Sequence, residues 1–358
     1  MYSKKKTIKY LILVAAILVI LLTLLFSLGD IKAIGDVLIN QTNYLYILIC
    51  IALALLYCFC FQYSLTILVK RKYKNISFID SMYIAGSEFF FNGITPFSTG
   101  GQPFQAYALK RKNMKLSDST SVLLINFLTY QIVMNLFSIV ALAIYYSTLK
   151  NQIDNLIWLL IAGFSINLLM VVFIVLVGTT KFVGRFFVSI LKCLSKIKFL
   201  HMLENNIPAF EKYVDEMQCA FKEMKNDIVT ILIVMLIKGF SLACYYAIPF
   251  FIFYAIGVNL SFKDLFYVIS MTSFALTICV WLPTPGASGG AELAFTTLFI
   301  GLLAGYDDAK NLAMSGMLLW RLITYYFLIL YGFLMYVLFE RRNRNEDRII
   351  YWSILSKY

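Results

Sequence analysis

The sequence TPFSTGG at residues 95–101 has a near copy, TPGASGG, at residues 284–290, and both lie in apolar parts of the chain. Both copies follow the pattern T-P-x-x-[S/T]-G-G. Proline and paired glycines interrupt helices, and a membrane tolerates an interrupted helix only where the freed backbone groups are buried in protein or line a cavity. Two such interruptions at corresponding places are typical of the substrate site of a secondary transporter.

The composition indicates a membrane protein. The chain has 358 residues, of which 61% are hydrophobic and 14% charged, and its mean hydropathy is +0.80. These values predict an all-α protein that crosses the membrane several times. The net charge of +12 fits basic cytoplasmic loops, so we expect no direct contact with nucleic acid. The cysteines lack metal-site spacing and the single histidine, His201, lies in a polar linker, so we expect no metal, no cofactor and no catalytic residues.

Six apolar stretches reach the ~20 residues that a helix needs to cross a bilayer. They are residues 8–28, 44–69, 120–147, 156–178, 228–256 and 311–339. The first follows three lysines and has no small-residue cleavage site, so we expect it to remain as a signal anchor.

Loop charge predicts the orientation. With the Lys-rich N-terminus inside and alternating spans, the basic clusters at residues 70–74, 110–112, 181–198 and 341–344 all lie in the cytoplasm. The outer loops then hold only Lys32, Lys150, Lys263 and Lys310. This asymmetry predicts a multi-pass protein of the cell membrane with both termini in the cytoplasm, provided that each motif segment enters and leaves on one side.

The motif segments are residues 77–112 and 261–305. The stretch from Gly101 to the basic cluster at 110–112 would be about 12 Å long as a helix, too short to cross, so the first segment is predicted to be re-entrant. The exit of the second segment could reach about 22 Å, which leaves a re-entrant or a spanning path open. Capping boxes, SFID at 77–80 and SFKD at 261–264, precede the two motifs and support a repeat.

An odd number of spans in each half inverts the second half. We therefore predict an inverted repeat of three spans plus a re-entrant hairpin in each half. The first membrane repeat is residues 1–155. The second is residues 156–340 and contains a cytoplasmic linker at 179–227. Part of this linker is either an amphipathic helix on the membrane surface or an ordinary connecting helix packed on the bundle. Residues 341–358 form a basic cytoplasmic tail.

Four ionisable residues, Glu88, Lys238, Glu292 and Arg321, lie in the apolar segments, where charges usually mark a site or a structural pair. We expect Arg321 and Glu292 to meet. They either fix the hairpin to the bundle, or Arg321 binds a lipid phosphate while Glu292 receives an amine or a proton. Glu88 and Lys238 are candidate proton or headgroup sites. The alternatives for Glu88 are solvation at the membrane interface or a structural pair. Lys238 is expected to extend toward the cytoplasm.

Short helices should begin after both glycine pairs, with free amides that suit an anionic headgroup; tight hairpin packing is the alternative reason for the glycines. The expected substrate-binding residues are Thr95, Ser98, Thr99, Gly100, Gly101, Gln102, Thr284, Ser288, Gly289, Gly290, Glu292 and Arg321. The amides of Asn126, Gln131 and Asn135 are expected to hold helices together.

The stretches NGITPFSTGGQPFQ at 92–105 and LPTPGASGGAE at 282–292 resemble the flippase-like membrane region of the lysylphosphatidylglycerol synthase family. The resemblance covers nearly the whole chain and implies a lipid translocase fold. In full-length family members this region moves an aminoacylated phosphatidylglycerol to the outer leaflet, and a C-terminal cytosolic domain transfers lysine from charged tRNA to the lipid. Only 19 residues follow Phe339, so we expect no synthase domain and lean away from an enzyme.

The sequence therefore predicts a flippase for an anionic or aminoacylated phospholipid, similar to lysylphosphatidylglycerol, or for a lipid-linked sugar. One alternative is phosphatidylglycerol lysyltransferase or its membrane subunit, linked to cationic-peptide resistance. A second is a small-molecule secondary transporter. The absence of a G-x-x-x-x-G-K-[S/T] loop argues against an ATP-driven pump. Membrane phospholipid is the expected partner, and a separate cytosolic synthase or glycosyltransferase and a second copy of the chain remain open as others.

Overall fold

The computed structural model describes residues 42–152, 156–181, 207–279, 282–306 and 308–355, and single positions at 186, 189 and 193. All regular structure in these ranges is helical, so the predicted all-α class is confirmed. The helices are α1 (Tyr44–Lys72), α2 (Phe78–Gly93), α3 (Gly101–Arg111), α4 (Leu116–Gln152), α5 (Leu156–Thr179), α6 (Ile207–Lys225), α7 (Ile228–Ala255), α8 (Asp264–Cys279), α9 (Gly290–Ile300), α10 (Ala309–Arg321) and α11 (Phe327–Leu355).

Five helical stretches are long and apolar enough to cross a membrane. They are Tyr44–Lys72, Leu116–Tyr145, Ile161–Thr179, Ile228–Ala255 and Ala309–Arg344, the last of which joins α10 and α11. They coincide with five of the six predicted spans, and the protein is a multi-pass membrane protein. The remaining predicted span, residues 8–28, lies outside the described residues.

Each motif lies at the turn of a helical hairpin. Helices α2 and α3 flank the first motif, and α8 and α9 flank the second. The leading helix has 16 residues and the following helix 11 in both hairpins. None of these helices reaches the ~20 residues of a full crossing. The threonine before each proline is extended, with φ and ψ of −112° and 144° at Thr95 and −105° and 146° at Thr284, because proline disfavours helical backbone in the preceding residue.

The predicted capping boxes differ from each other. Ser77 makes no side-chain cap bond, so the first box is wrong. Asp80 of that box is instead buried, 3.1 Å from Lys112 Nζ and 2.7 Å from Arg342 Nε. It therefore ties the first hairpin to α11 through charge. The second box is half formed, since only the amide of Ser261 donates to Asp264 Oδ2, at 2.7 Å.

The two largest apolar clusters of the described residues surround the hairpins. One contains buried residues of α1 to α4, such as Leu65, Ile84 and Leu109. The other contains α7 to α10, where the rings of Phe295 and Trp320 stack with centroids 4.8 Å apart. Each hairpin therefore has its own main core, and a smaller cluster of Phe90, Tyr325 and Ile329 joins the first hairpin to the last span.

The predicted linker is helical where it is described. Helix α6 packs on α4, where the Ser121 hydroxyl donates to the Met217 carbonyl at 2.7 Å. Most of the predicted surface helix near residues 186–194 lies outside the described residues.

Candidate functional site

The two motif turns pack against each other. Their backbones match from the threonine to the second residue after the proline and then diverge, because Thr99 is helical whereas Ser288 is extended. After the proline, two successive residues have left-handed backbone in both turns: φ is 55° and 51° at Phe97 and Ser98, and 60° and 55° at Gly286 and Ala287. Only glycine adopts this conformation without cost. Three non-glycine residues adopt it here, so the surrounding contacts fix the turns, as is common at functional sites.

Neutral side chains stabilise the start of α3 in the first turn. The Gly100 amide donates to Thr95 Oγ1 at 2.9 Å, and the Gly101 amide donates to Asn92 Oδ1 at 2.8 Å. A Cβ at residue 101 would lie 2.5 Å from Glu88 Cγ, so only glycine allows this approach. The hairpin is closed by side chains of its own leading helix.

The carboxylate of Glu88 is buried in the first hairpin and held by amides. Asn92 Nδ2 donates to Oε1 at 3.1 Å, and Gln105 Nε2 donates to Oε2 at 2.8 Å. Among the described residues no cation forms an ion pair with it. Hydrogen bonds from neutral donors stabilise this buried group.

A carboxylate stabilises the second turn instead. The Gly289 amide donates to Glu292 Oε2 at 2.7 Å, and Arg321 Nε lies 2.8 Å from Glu292 Oε1. Arg321 Nη1 also donates to the Gly286 carbonyl at 2.9 Å. The guanidinium lies over the rings of Trp320 and Tyr325, at 5.4 and 5.3 Å from their centroids. The expected pairing of Arg321 with Glu292 is confirmed, and it joins the second turn to α10.

Arg321 is the last residue of α10. A π-helical turn, Leu322–Tyr326, follows it before α11 begins. Such turns insert a residue into a helix and are frequent at functional sites. The Tyr325 hydroxyl within this turn donates to the carbonyl of Gly93 at 2.9 Å. The interrupted last span therefore contacts both hairpins.

The expected free amides at the two helix starts are not found at Gly100, Gly101 and Gly289. Each is bonded to an oxygen of the chain's own side chains. The reason is chemical: the buried helix starts need acceptors, and nearby Thr95, Asn92 and Glu292 supply them.

Lys238 lies on α7 and is 1% exposed, so the expectation that it extends toward the cytoplasm is wrong. Its ammonium donates to Asn126 Oδ1 at 2.7 Å and to Thr129 Oγ1 at 2.9 Å, and it also contacts the Asn126 carbonyl oxygen. Three oxygen acceptors match the three donors of an ammonium group. Asn126 therefore bridges α4 and α7, as expected for an amide that holds helices together.

A cavity of about 410 Å³ lies where the hairpins meet. The lining comes from both turns, from α1, α4 and α7 and from the interrupted last span. This volume is within the range of small-molecule sites, roughly 300–1,000 Å³.

Five of the predicted site residues line this cavity: Glu88, Ser98, Thr99, Gln102 and Arg321. The others form its supports. Thr95, Gly100, Gly101, Gly289 and Glu292 complete the helix starts described above, and Gly290 is the first residue of α9. The Thr284 hydroxyl donates to the Ser288 carbonyl at 3.0 Å, and the Ser288 hydroxyl donates to that of Pro285 at 2.8 Å. Lys238 lies behind Asn126. From the second turn, the cavity is lined instead by Gly286, Ala287 and Ala291.

Sequence reasoning missed the aromatic wall and one amide. Tyr57, Tyr130 and Tyr245 line the cavity from α1, α4 and α7. Gln131 lines it as well, although it was expected to hold helices together; in the described part of the chain its side-chain oxygen has no partner. Tyrosine is common in apolar spans, so its position alone carried no signal. Gln131 did give a signal, because an amide side chain in an apolar span needs a hydrogen-bond partner.

Comparison with known proteins places these features in a family. The model of the family described as "Lysylphosphatidylglycerol synthase TM region" matches residues 10–332. A UPF0104 membrane protein of Archaeoglobus fulgidus is 26% identical over 278 residues, which are 72% of this chain and 75% of that protein. The family match covers most of the chain and includes both motif turns and every residue named as lining the cavity. The chain therefore belongs to the family of the lysylphosphatidylglycerol synthase transmembrane region.

Proposed function

We propose that this protein is a flippase, which moves a phospholipid or a lipid-linked sugar between the leaflets of the cell membrane. The observation that carries the proposal is one cavity lined by both motif turns, with a buried carboxylate, Glu88, and a buried guanidinium, Arg321, in its wall. Interrupted helices that meet around polar groups are the usual substrate site of membrane transporters.

The finer architecture is part of this proposal. In it, residues 1–155 and 156–340 are inverted repeats, the hairpins are re-entrant from opposite faces, and both termini are cytoplasmic. The equal helix lengths of the hairpins and the matching left-handed residues of their turns support a repeat. The basic loops support the orientation.

A lipid suits this site better than a free solute. Family membership connects the chain with a lipid, and the cavity has room for a headgroup while the acyl chains remain in the bilayer. Arg321 already has one carboxylate partner and retains a free nitrogen, Nη2, among the described residues. That nitrogen can donate to a phosphate oxygen. A cytosolic synthase or glycosyltransferase would supply such a lipid.

Reconstituted protein provides the test. Proteoliposomes would contain tail-labelled fluorescent phosphatidylglycerol, lysylphosphatidylglycerol or a polyprenyl-phosphate sugar, and a membrane-impermeant reductant would report the labelled lipid in the outer leaflet. We expect the wild-type protein to move at least one of these lipids faster than empty liposomes.

Two variants give the test its specificity. Arg321→Lys keeps a positive charge opposite Glu292 but removes the free Nη2 together with the Nη1 bond to Gly286, and should slow transport by at least about tenfold, the loss expected for one charge-assisted hydrogen bond. Arg341→Lys is the matched control, because Arg341 is exposed. If no lipid leaves its starting leaflet, the proposal fails. New lysyl-lipid in the mass spectrum of a host without aminoacylated lipids would indicate a transferase instead.

A further inference from the structure

The cavity wall contains buried polar atoms that lack a partner. Within the described residues these are Arg321 Nη2, Trp320 Nε1 and Gln131 Oε1. Their residues are 5%, 1% and 1% exposed, respectively. Native structures rarely leave such atoms unpaired, so they indicate groups that a bound ligand or water would satisfy.

Neutral groups make up most of the remaining hydrogen-bonding capacity. The Tyr57 and Tyr130 hydroxyls and the Gln102 amide also belong to lining residues and have no hydrogen-bond partner in the part of the chain that the structure describes. Hydroxyl and amide groups both donate and accept. They match the hydroxyl groups of a ligand, which do the same.

The two carboxylates near the cavity already accept hydrogen bonds from the protein. Both oxygens of Glu88 accept from amides. Both oxygens of Glu292 are occupied as well, by Arg321 and by the Gly289 amide. Glu88 is the one carboxylate in the described lining, and a cationic headgroup would have to compete with the amides of Asn92 and Gln105 for it. The one charged group of this lining with an unpaired atom is a guanidinium, which suits an anionic oxygen.

We infer that the transported headgroup is an uncharged, hydroxyl-rich group joined to the lipid through a phosphate, and not a cationic aminoacyl group. This inference rests on the proposed flippase function and specifies its substrate class. A buried cation needs several well-placed acceptors, as Lys238 has in Asn126 and Thr129, and the only carboxylate in the described lining is already held by two amides. A polyol finds partners in Gln131, Gln102 and the tyrosine hydroxyls, while Arg321 Nη2 donates to the phosphate.

The test compares three tail-labelled lipids in the same proteoliposomes. Phosphatidylglycerol and lysylphosphatidylglycerol form a matched pair, because the lysyl ester removes one hydroxyl and adds two amines. A polyprenyl-phosphate glucose distinguishes a sugar from a glycerol headgroup. We expect phosphatidylglycerol, the glucosyl lipid or both to move at least about tenfold faster than the lysyl lipid, as for a site that pairs buried polar groups with hydroxyls.

Charge placed in the wall should change this preference. Gln131→Leu should slow the preferred lipid about three- to tenfold through loss of one hydrogen bond. Gln131→Glu should shift the preference toward the lysyl lipid, because it adds a second carboxylate to the lining. Gln102→Glu makes the same test at a half-buried position that tolerates charge if Gln131→Glu does not fold. Asn135→Leu, one turn from Gln131 on α4 and absent from the lining, is the control and should leave the preference unchanged.

The outcomes separate the inference from the function. If the lysyl lipid moves as fast as phosphatidylglycerol or faster, the inference is wrong while the flippase function stands. An unchanged preference in both glutamate variants also contradicts it. If none of the three lipids moves, the flippase function itself fails and the inference with it.

Discussion

The two motif turns begin with the same backbone conformation and differ in how their charges are stabilised. In the first turn, neutral oxygens of Thr95 and Asn92 accept the amides that begin α3, and Glu88 is held by amides. In the second, Glu292 accepts the amide and pairs with Arg321. The motif thus specifies the start of each turn, and the side chains around it specify the electrostatics.

The residue after the proline shows the same contrast. Phe97 is 48% exposed, whereas Gly286 lies under the ring of Tyr325. Equal backbone at these positions therefore does not mean equal surroundings. The interrupted last span fills the space beside the second turn and leaves the first turn open.

The largest effect should come from breaking the ion pair of the second turn. Arg321→Met leaves Glu292 largely buried without a counter-charge and should destabilise the protein by about 3–5 kcal/mol. The pair is 6% and 14% exposed at its side chains, so solvent compensates little. Thermal unfolding in detergent measures the loss. Arg321→Met combined with Glu292→Gln should recover part of it, and a double variant no more stable than Arg321→Met would contradict the pairing argument.

The next effect tests the position after the proline. Gly286→Ala places a Cβ 2.1 Å from Tyr325 Cε2 at a residue with φ of +60° and should cost about 2–3 kcal/mol through overpacking and strain. Phe97→Ala is the matched control in the first turn, and we expect a change within about 0.5 kcal/mol, as for exposed positions. Equal losses in the two variants would show that the turns are equally enclosed.

Sequence reasoning predicted the spans, the hairpins and the Arg321–Glu292 contact. It succeeded because each depends on a strong local rule: apolar length, helix breakage at proline and paired glycines, or the cost of a charge in an apolar segment. Five of the expected residues line the cavity: three come from the first motif region, and Glu88 and Arg321 come from the rule on charges in apolar segments.

The partners of the helix-start amides could not be predicted from the motif. They depend on residues such as Asn92, whose oxygen reaches Gly101 nine positions later only because the hairpin folds back. Lys238 was misplaced for a related reason. Its position in the span suggests a side chain that extends toward the cytoplasm. Asn126, which is distant in sequence, instead supplies acceptors that allow the ammonium to be buried. Contacts between helices far apart in sequence decide both cases.

Glu88→Gln tests the first turn with a smaller expected effect. The carboxylate accepts one amide on each oxygen, and glutamine replaces one of these oxygens with a donor. One buried donor then loses its acceptor, which should cost about 1–2 kcal/mol. Glu292→Gln weakens a charged pair and should cost more. The same thermal unfolding assay compares the two variants, and a greater loss for Glu88→Gln would reverse the assignment of the charged turn.

The smallest effect separates the two motif threonines. Thr95 Oγ1 accepts the Gly100 amide and donates to the Phe91 carbonyl, whereas Thr284 Oγ1 donates only to the Ser288 carbonyl. Valine keeps the shape and the branched Cβ, so Thr95→Val should cost about 1 kcal/mol, as for a lost helix cap, and Thr284→Val about 0.5 kcal/mol. Faster amide hydrogen exchange at Gly100 in Thr95→Val alone would identify the lost acceptor. Both threonines have the same extended backbone. Equal losses would therefore mean that the threonine acts through the conformation before proline, and that its hydroxyl does not distinguish the turns.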